Sequence, residues 1–210
     1  MKNKRITAAL VLILIFMVLT ALIFTGWFAY CEGVIYSGIA KLISPTLTSA
    51  LIVITEIGSF YGIAGVIAAM LLLPQTRVKI GVPLALNGII AGVLSLLLKL
   101  VIMRHRPQIL QLVSESGYAF PSGHAMNNAA LYAMLVLLVF ELTKSQKLRI
   151  PALIFGVIMP LLIGVSRIYL GVHNLGDVLA GWALGVAVSL LVYTAWVRWN
   201  RNRCEHKKLP

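Results

Sequence analysis

Apolar residues in this chain fall in long unbroken runs, unlike the alternation of a strand or the single stripe of a soluble helix. Six runs carry no charge: Ile6 to Tyr30, Ile57 to Thr76, Ile80 to Leu98, Ala125 to Phe140, Ile150 to Ser166 and Val178 to Val197. A bilayer core of about 30 Å takes about 20 helical residues to cross, so each run predicts a membrane-spanning helix, the shorter ones extended by weakly polar neighbours. Strands of a membrane barrel would alternate apolar and polar positions, which these runs do not. The expected fold is all-α, a polytopic membrane protein with six transmembrane helices in a single domain over 1–210. Between the first two runs, Ile39, Leu42, Ile43, Leu47 and Leu51 recur at helical spacing and predict an interfacial helix over 34–51. Pro74 and Pro151 mark helix ends, and Pro83 and Pro160 predict tolerated kinks.

Composition supports this reading. The 210 residues are 60% hydrophobic and 11% charged, against about 45–50% and about 25% for soluble domains. A formal charge of +12, from 18 Lys+Arg and 6 Asp+Glu, would suit nucleic acid if it formed a basic face. Here the basic residues lie between apolar runs, so no nucleic-acid partner is expected. Counting the N-terminus and every second loop as one side, that side holds Lys2, Lys4, Arg5, Arg77, Lys79, Lys144, Lys147, Arg149, Arg198, Arg201, Arg203, Lys207 and Lys208, which is 13 of the 18. That side, with both termini, is expected in the cytoplasm. The first run follows Lys2, Lys4 and Arg5 as in a signal peptide, but it is long and lacks a small-residue cleavage site, so a retained span is expected. Cys31 and Cys204 offer neither a zinc spacing nor a disulfide framework.

Three stretches expected on the opposite side carry polar groups that a lipid environment does not explain. The first, Lys99 to Pro107, contains Arg104, His105 and Arg106. Lys99 and Arg106 are two helical turns apart and can point at one anion, or snorkel to the interface. The second, Pro121-Ser122-Gly123-His124, precedes the fourth run. A helix N-terminus there has free N–H groups for an anion, Gly123 permits close approach, and His124 can donate a proton to a leaving oxygen. The plain alternative is a serine N-cap beside an interfacial histidine. In the third stretch His173 and Asp177 are four apart, so the carboxylate can hold one ring nitrogen and leave the other free to attack. Arg167 adds a guanidinium fork for an oxyanion; the alternative is an ordinary His–Asp pair at a helix start. Arg104 and His105 either touch a diphosphate or headgroup, or face water. Tyr169, Gly171 and Gly176 suit a turn, and Gly58, Gly62, Gly65, Gly88 and Gly92 suit helix contacts. Glu32, Glu56, Glu115 and Asp177 are too scattered to suggest a two-metal clamp.

The three stretches together resemble the signature of the type 2 phosphatidic acid phosphatase (PAP2) family, Lys-x6-Arg-Pro, Pro-Ser-Gly-His and Ser-Arg-x5-His-x3-Asp. Lys99, Arg106, Pro107, Pro121, Ser122, Gly123, His124, Ser166, Arg167, His173 and Asp177 match it without departure over 99–177. The resemblance implies a PAP2-like helical bundle and a metal-independent lipid phosphatase of a bacterial cytoplasmic membrane, its site facing outside. It also implies that His173 attacks phosphorus to form a phosphohistidine while Asp177 orients it. His124 would protonate the leaving oxygen and then activate water. Lys99, Arg106, Arg167, Ser122 and the Gly123 region would hold the phosphoryl oxygens. The implied substrates are undecaprenyl pyrophosphate, phosphatidylglycerophosphate or phosphatidic acid, with the bilayer as partner and no obligate protein partner. The competing reading is a transport-type or catalytically inactive membrane protein of the same fold, for which Pro83 and Pro160 are the only hint.

Overall fold

The computed structural model describes residues 2–206, and no strand occurs among them. The elements are α1 (Lys2–Phe24), α2 (Ala29–Ala40), α3 (Pro45–Ile57), α4 (Phe60–Leu72), a single turn α5 (Pro74–Thr76), a π-helical stretch (Arg77–Gly81), α6 (Val82–Ile102), α7 (Gly123–Leu142), α8 (Gln146–Tyr169) and α9 (Leu175–His206). Among the described residues, five helices are long and apolar enough to cross a membrane: Asn3–Phe24, Pro74–Ile102, Gly123–Leu142, Gln146–Tyr169 and Leu175–Asn202. The pair α3 and α4, bent by 44°, supplies the sixth if it is taken as one broken span.

Two boundaries differ from expectation, each for a local reason. Residues 34–51 do not form one interfacial helix. The chain breaks after Ala40, because Pro45 lacks the N–H that would continue a helix and the Ser44 hydroxyl accepts the Leu47 N–H at 3.3 Å as an N-cap. The second apolar run does not start the span at Ile57 either. That residue ends α3, and Ser59 caps α4 by accepting the Gly62 N–H at 3.3 Å. The joint between them is tied down from the bundle interior: buried Asn128 donates its amide to Gly58 O at 2.7 Å and to His124 O at 2.9 Å. Pro83 is the second residue of α6, in its first turn, and Pro160 lies within α8, where its carbonyl accepts the Trp182 indole N–H at 3.1 Å. Neither ends its span.

Helices α7 and α9 run parallel through the centre, α1 packs along α9, and α6 and α8 flank α7. Their approach depends on α9 glycines: a Cβ at Gly185 would lie 2.3 Å from Met126 O, and one at Gly181 3.0 Å from Ser122 O. Gly65 and Gly92, by contrast, face open space. The core beside this seam holds Phe16, Ala91, Phe120, Met126, Ala180 and Leu184. Asn87 and Ser189 both donate to Ala130 O, at 2.9 and 2.7 Å, joining α6, α7 and α9 through a polar contact. Outward faces are apolar and exposed, as at Leu10, Leu14 and Met17 on α1 and Leu153, Val157 and Leu161 on α8, a surface matched to lipid tails.

One end of the bundle gathers the start of α1, the α4–α6 joint, the α7–α8 turn and the end of α9. Its arginines also close helix ends. Arg77 donates to Leu71 O at 2.8 Å, and Arg149 to Thr143 O at 2.8 Å and Phe140 O at 2.7 Å. Lys207 and Lys208 lie outside the described residues. The opposite end carries the 103–122 connection, the α8–α9 turn and α2.

Candidate active site

Helix α6 stops where Met103 turns left-handed (φ 50°), its N–H bonded to Lys99 O at 3.0 Å. The connection that follows is stitched to the rest of this end. Ala119 N–H donates to Arg104 O at 2.8 Å, Leu112 N–H to Leu170 O at 3.0 Å, and Ser122 N–H to Asp177 O at 3.0 Å. At the end of α8, Val172 and His173 N–H groups both reach back to Arg167 O, at 3.2 and 3.3 Å, so the turn sets His173 beside Arg167. Gly171 is required in that turn: its φ is +72°, and a Cβ would lie 2.3 Å from Leu110 O. This wiring brings Lys99, Arg106, Ser122, Gly123, His124, Arg167, His173 and Asp177 to one end of the bundle.

His173 is buried, and its two ring nitrogens face opposite charges. Nδ1 lies 3.6 Å from Asp177 Oδ2, an electrostatic contact just beyond hydrogen-bond reach, while Nε2 lies 3.2 Å from Arg106 Nη1. Because a guanidinium only donates, Nε2 is the acceptor and the proton belongs on Nδ1, facing the carboxylate. Burial, with Arg106 and Lys99 nearby and against the pull of Asp177, pushes His173 down to about 4, so the ring is neutral at pH 7. Tyr36 of α2 donates its hydroxyl to His173 O at 3.2 Å.

Arg106 is braced by Gly117 O at 3.0 Å, Val172 O at 3.0 Å and Ser116 O at 2.9 Å. Arg167 donates to Thr55 Oγ1 of α3 at 2.9 Å. Between these two guanidiniums sits Glu115, one carboxylate oxygen on Arg167 and the other 3.4 Å from Arg106. Burial pushes the Glu115 carboxyl up, but Arg167 and Arg106 outweigh it and hold the group below the usual carboxylate range. One anion can therefore be gripped by both arginines at once, and here that anion belongs to the protein. Arg167 Nε and His173 Nδ1 are buried without a hydrogen-bond partner among the described residues. Lys99 donates to Tyr118 O at 2.5 Å and lies in the field of Arg106, Asp177, Glu115 and Arg167.

The serine N-cap is present at the start of α7, with Ser122 Oγ accepting Ala125 N–H at 3.5 Å. Gly123 serves no packing need of the protein, since a Cβ there would meet only Ser95 Oγ at 3.6 Å and Lys99 Cε at 3.8 Å. His124 lies within electrostatic range of Arg167, Glu115, His173 and Arg106. The two flanking positions separate. His105 is exposed, its ring edge-on to Tyr118 with centroids 6.4 Å apart. Arg104 turns inward, 2.5 Å from Asp177 Oδ1 and 3.2 Å from Glu32. Burial pushes the Glu32 carboxyl up against the pull of Arg104.

Among the described residues no group of three or more His, Cys, Asp or Glu side chains is placed to hold a metal ion. Glu115, Glu32, Tyr36 and Thr55 carry no motif. Their only sequence signal is that two of them are among the six acidic residues of a strongly basic chain.

Residues 78–201, more than half of the chain, match the PAP2 superfamily. The chain belongs to the PAP2 superfamily. It is 42% identical over 100 residues to phosphatidylglycerophosphatase B of Bacillus subtilis, covering 47% of this chain and 49% of that protein. It therefore spans about half the length of that relative. It is 33% identical to an undecaprenyl-diphosphatase of Sulfolobus acidocaldarius over 70% of this chain and 69% of that one. Among solved structures, a transmembrane PAP2 type phosphatidylglycerolphosphate phosphatase from Bacillus subtilis superposes with a TM-score of 0.82 at 31% identity, covering 90% of this chain and 96% of that chain. Aquifex aeolicus LpxE shares the fold, with a TM-score of 0.59 at 22% identity over 78% of this chain and 94% of that one. This PAP2 chain is thus a multi-pass helical membrane protein, and its matched region begins just before α6.

Proposed function

We propose that this protein hydrolyses a membrane lipid phosphate or pyrophosphate through a phosphohistidine at the outer face of a bacterial cytoplasmic membrane, without a metal. The observation that carries the reading is the aim of His173: a buried imidazole with Nδ1 toward Asp177 and Nε2 toward Arg106, which shares the Glu115 carboxylate with Arg167. A phosphoryl group taking the place of the Glu115 carboxylate meets Arg106, Arg167 and Lys99 beside the Nε2 lone pair. Nε2 attacks phosphorus, forming an N–P bond as the bond to the leaving oxygen breaks. Asp177 stabilises the positive charge that grows on the ring. His124 gives a proton to the departing alkoxide or phosphate, then takes one from the water that cleaves the N–P bond. The basic side chains, the Ser122 hydroxyl and the N–H groups near Gly123 hold the equatorial oxygens where charge shifts most.

The site's position at the end of a membrane bundle supports a lipid leaving group, whose phosphate would sit at headgroup level. Phosphatidylglycerophosphate and undecaprenyl pyrophosphate are the substrates favoured by the named relatives, and phosphatidic acid completes the test set. The basic residues at the opposite end support an outward-facing site by the positive-inside rule. The test is release of inorganic phosphate by purified protein in mixed micelles, with EDTA present, on each of the three lipids. His173→Ala is expected to abolish release. Unchanged release by that variant would refute the nucleophile, and loss of wild-type activity in EDTA would refute the metal-free route.

A further inference from the structure

Outside the signature positions, a chain of charged side chains ends on the reacting pair. Arg104 Nη1 donates to Asp177 Oδ1 at 2.5 Å, and Nη2 reaches Glu32 Oε1 and Oε2 at 3.2 and 3.3 Å. The other Asp177 oxygen, Oδ2, accepts the Asn174 N–H at 2.9 Å and faces His173 Nδ1. Both oxygens of a fully buried carboxylate are thereby engaged, which fixes its rotation and keeps Oδ2 aimed at the imidazole. Charge sets a second condition. A guanidinium this close to Asp177 would cancel the attraction that a cationic imidazole needs. Glu32, with its side chain 12% exposed, offsets that guanidinium, so the three groups together leave one net negative charge beside His173.

We infer that Arg104 and Glu32 are positioning residues for the reaction, Arg104 orienting the Asp177 carboxylate and Glu32 cancelling the charge of Arg104 so that Asp177 still supports His173. The inference rests on His173 being the nucleophile. It brings into the site a side chain from α2, outside the 78–201 region matched by the family. It also gives Arg104 a role other than headgroup contact, since both arms of its fork are on carboxylates. Other ionisable groups around the pair are Lys99 of α6, Arg106 of the 103–122 connection, His124 of α7, Arg167 of α8 and Tyr36 of α2. None of them touches Arg104 in the structure's hydrogen bonds.

The experiment measures kcat and KM on a lipid phosphate in mixed micelles for the full chain and for Glu32→Gln, Arg104→Gln, the double variant and His173→Ala, with thermal unfolding as the folding control. Glu32→Gln is expected to lower kcat by roughly tenfold or more at unchanged KM, the scale of a partly buried charge interaction. The double variant should recover part of that loss, because it removes the guanidinium left uncompensated. A purely structural role would make the double variant at least as impaired as the worse single one. Wild-type kcat in Glu32→Gln, a loss confined to KM, or no recovery in the double variant overturns the inference while an inactive His173→Ala leaves the nucleophile standing. An active His173→Ala overturns the nucleophile itself. Should Glu32→Gln not fold, Arg104→Lys is measured instead; it keeps the charge but not the fork. A fall in its kcat at constant KM supports the role, and wild-type kcat overturns it.

Discussion

Glu115 holds the two arginines that the proposed reaction needs for phosphate, so converting it to glutamine is expected to strengthen anion binding. The substitution keeps the side chain's shape and removes its charge. In the wild type an incoming phosphate must displace a carboxylate bound to Arg167 and lying 3.4 Å from Arg106. A charge-assisted contact is worth about 1.5–3 kcal/mol net, and the Glu115 side chain is 30% exposed, so solvent screening reduces the displacement cost to about 1–2 kcal/mol. That corresponds to roughly 5- to 30-fold in affinity. The assay is inhibition by inorganic phosphate at pH 7 in mixed micelles, where Ki should fall by that factor in Glu115→Gln. The sign with pH follows from the carboxyl being held below its ordinary range. The pairing is complete above the range of a free carboxylate and is lost as pH falls through the lower folded value. The wild-type and variant Ki values should therefore converge in acid. An unchanged or higher Ki in Glu115→Gln at pH 7 would refute the idea that carboxylate and phosphate compete for one fork. It would mean instead that Glu115 holds the arginines in place.

Other outcomes follow from the same geometry. With only four histidines in the chain, ring-nitrogen NMR can follow His173 directly, and it is expected to stay neutral down to about pH 4 because burial opposes its charge; a ring protonated at pH 6 would refute this. Asn128→Ala leaves Gly58 O at the α3–α4 joint without its buried donor and should cost about 1–3 kcal/mol, read as a lower unfolding temperature in detergent. Gly185→Ala places a methyl against Met126 O and should destabilise by about 1–3 kcal/mol, whereas Gly92→Ala, facing open space, serves as the neutral control; equal unfolding temperatures for the two would contradict the tight α7–α9 seam.

Much of the architecture could be read from residue order. Uncharged runs mark the spans because a bilayer sets their length, and the three polar stretches gather because alternate loops must fall on one side. The errors came where short-range chemistry overrode the hydrophobic pattern. Ile39 to Leu51 keeps helical spacing, yet Ser44 and Pro45 break it with a cap and a missing donor. Ile57 opens an apolar run, yet Gly58 and Ser59 end one helix and start another. In the site, the signature residues were legible because their types and spacings are chemical requirements. Glu32 and Glu115 were not, since each meets its arginine through tertiary folding across more than a turn or two of chain. Arg104 was visible as a charge out of place, but its direction depends on Asp177, 73 residues later.

The arginines that close helix ends at the basic end of the bundle separate two stages that a charge count merges. Getting the chain into the bilayer the right way round depends only on where positive charge lies, and lysine serves that step as well as arginine. Holding the finished helix ends depends on the guanidinium of Arg149 reaching Thr143 O and Phe140 O together. Arg149→Lys should therefore insert in the same orientation, as read by cysteine labelling from either side, while unfolding at a lower temperature. A charge-swap experiment at this residue reports on insertion only when the swapped protein is also shown to keep its folded stability.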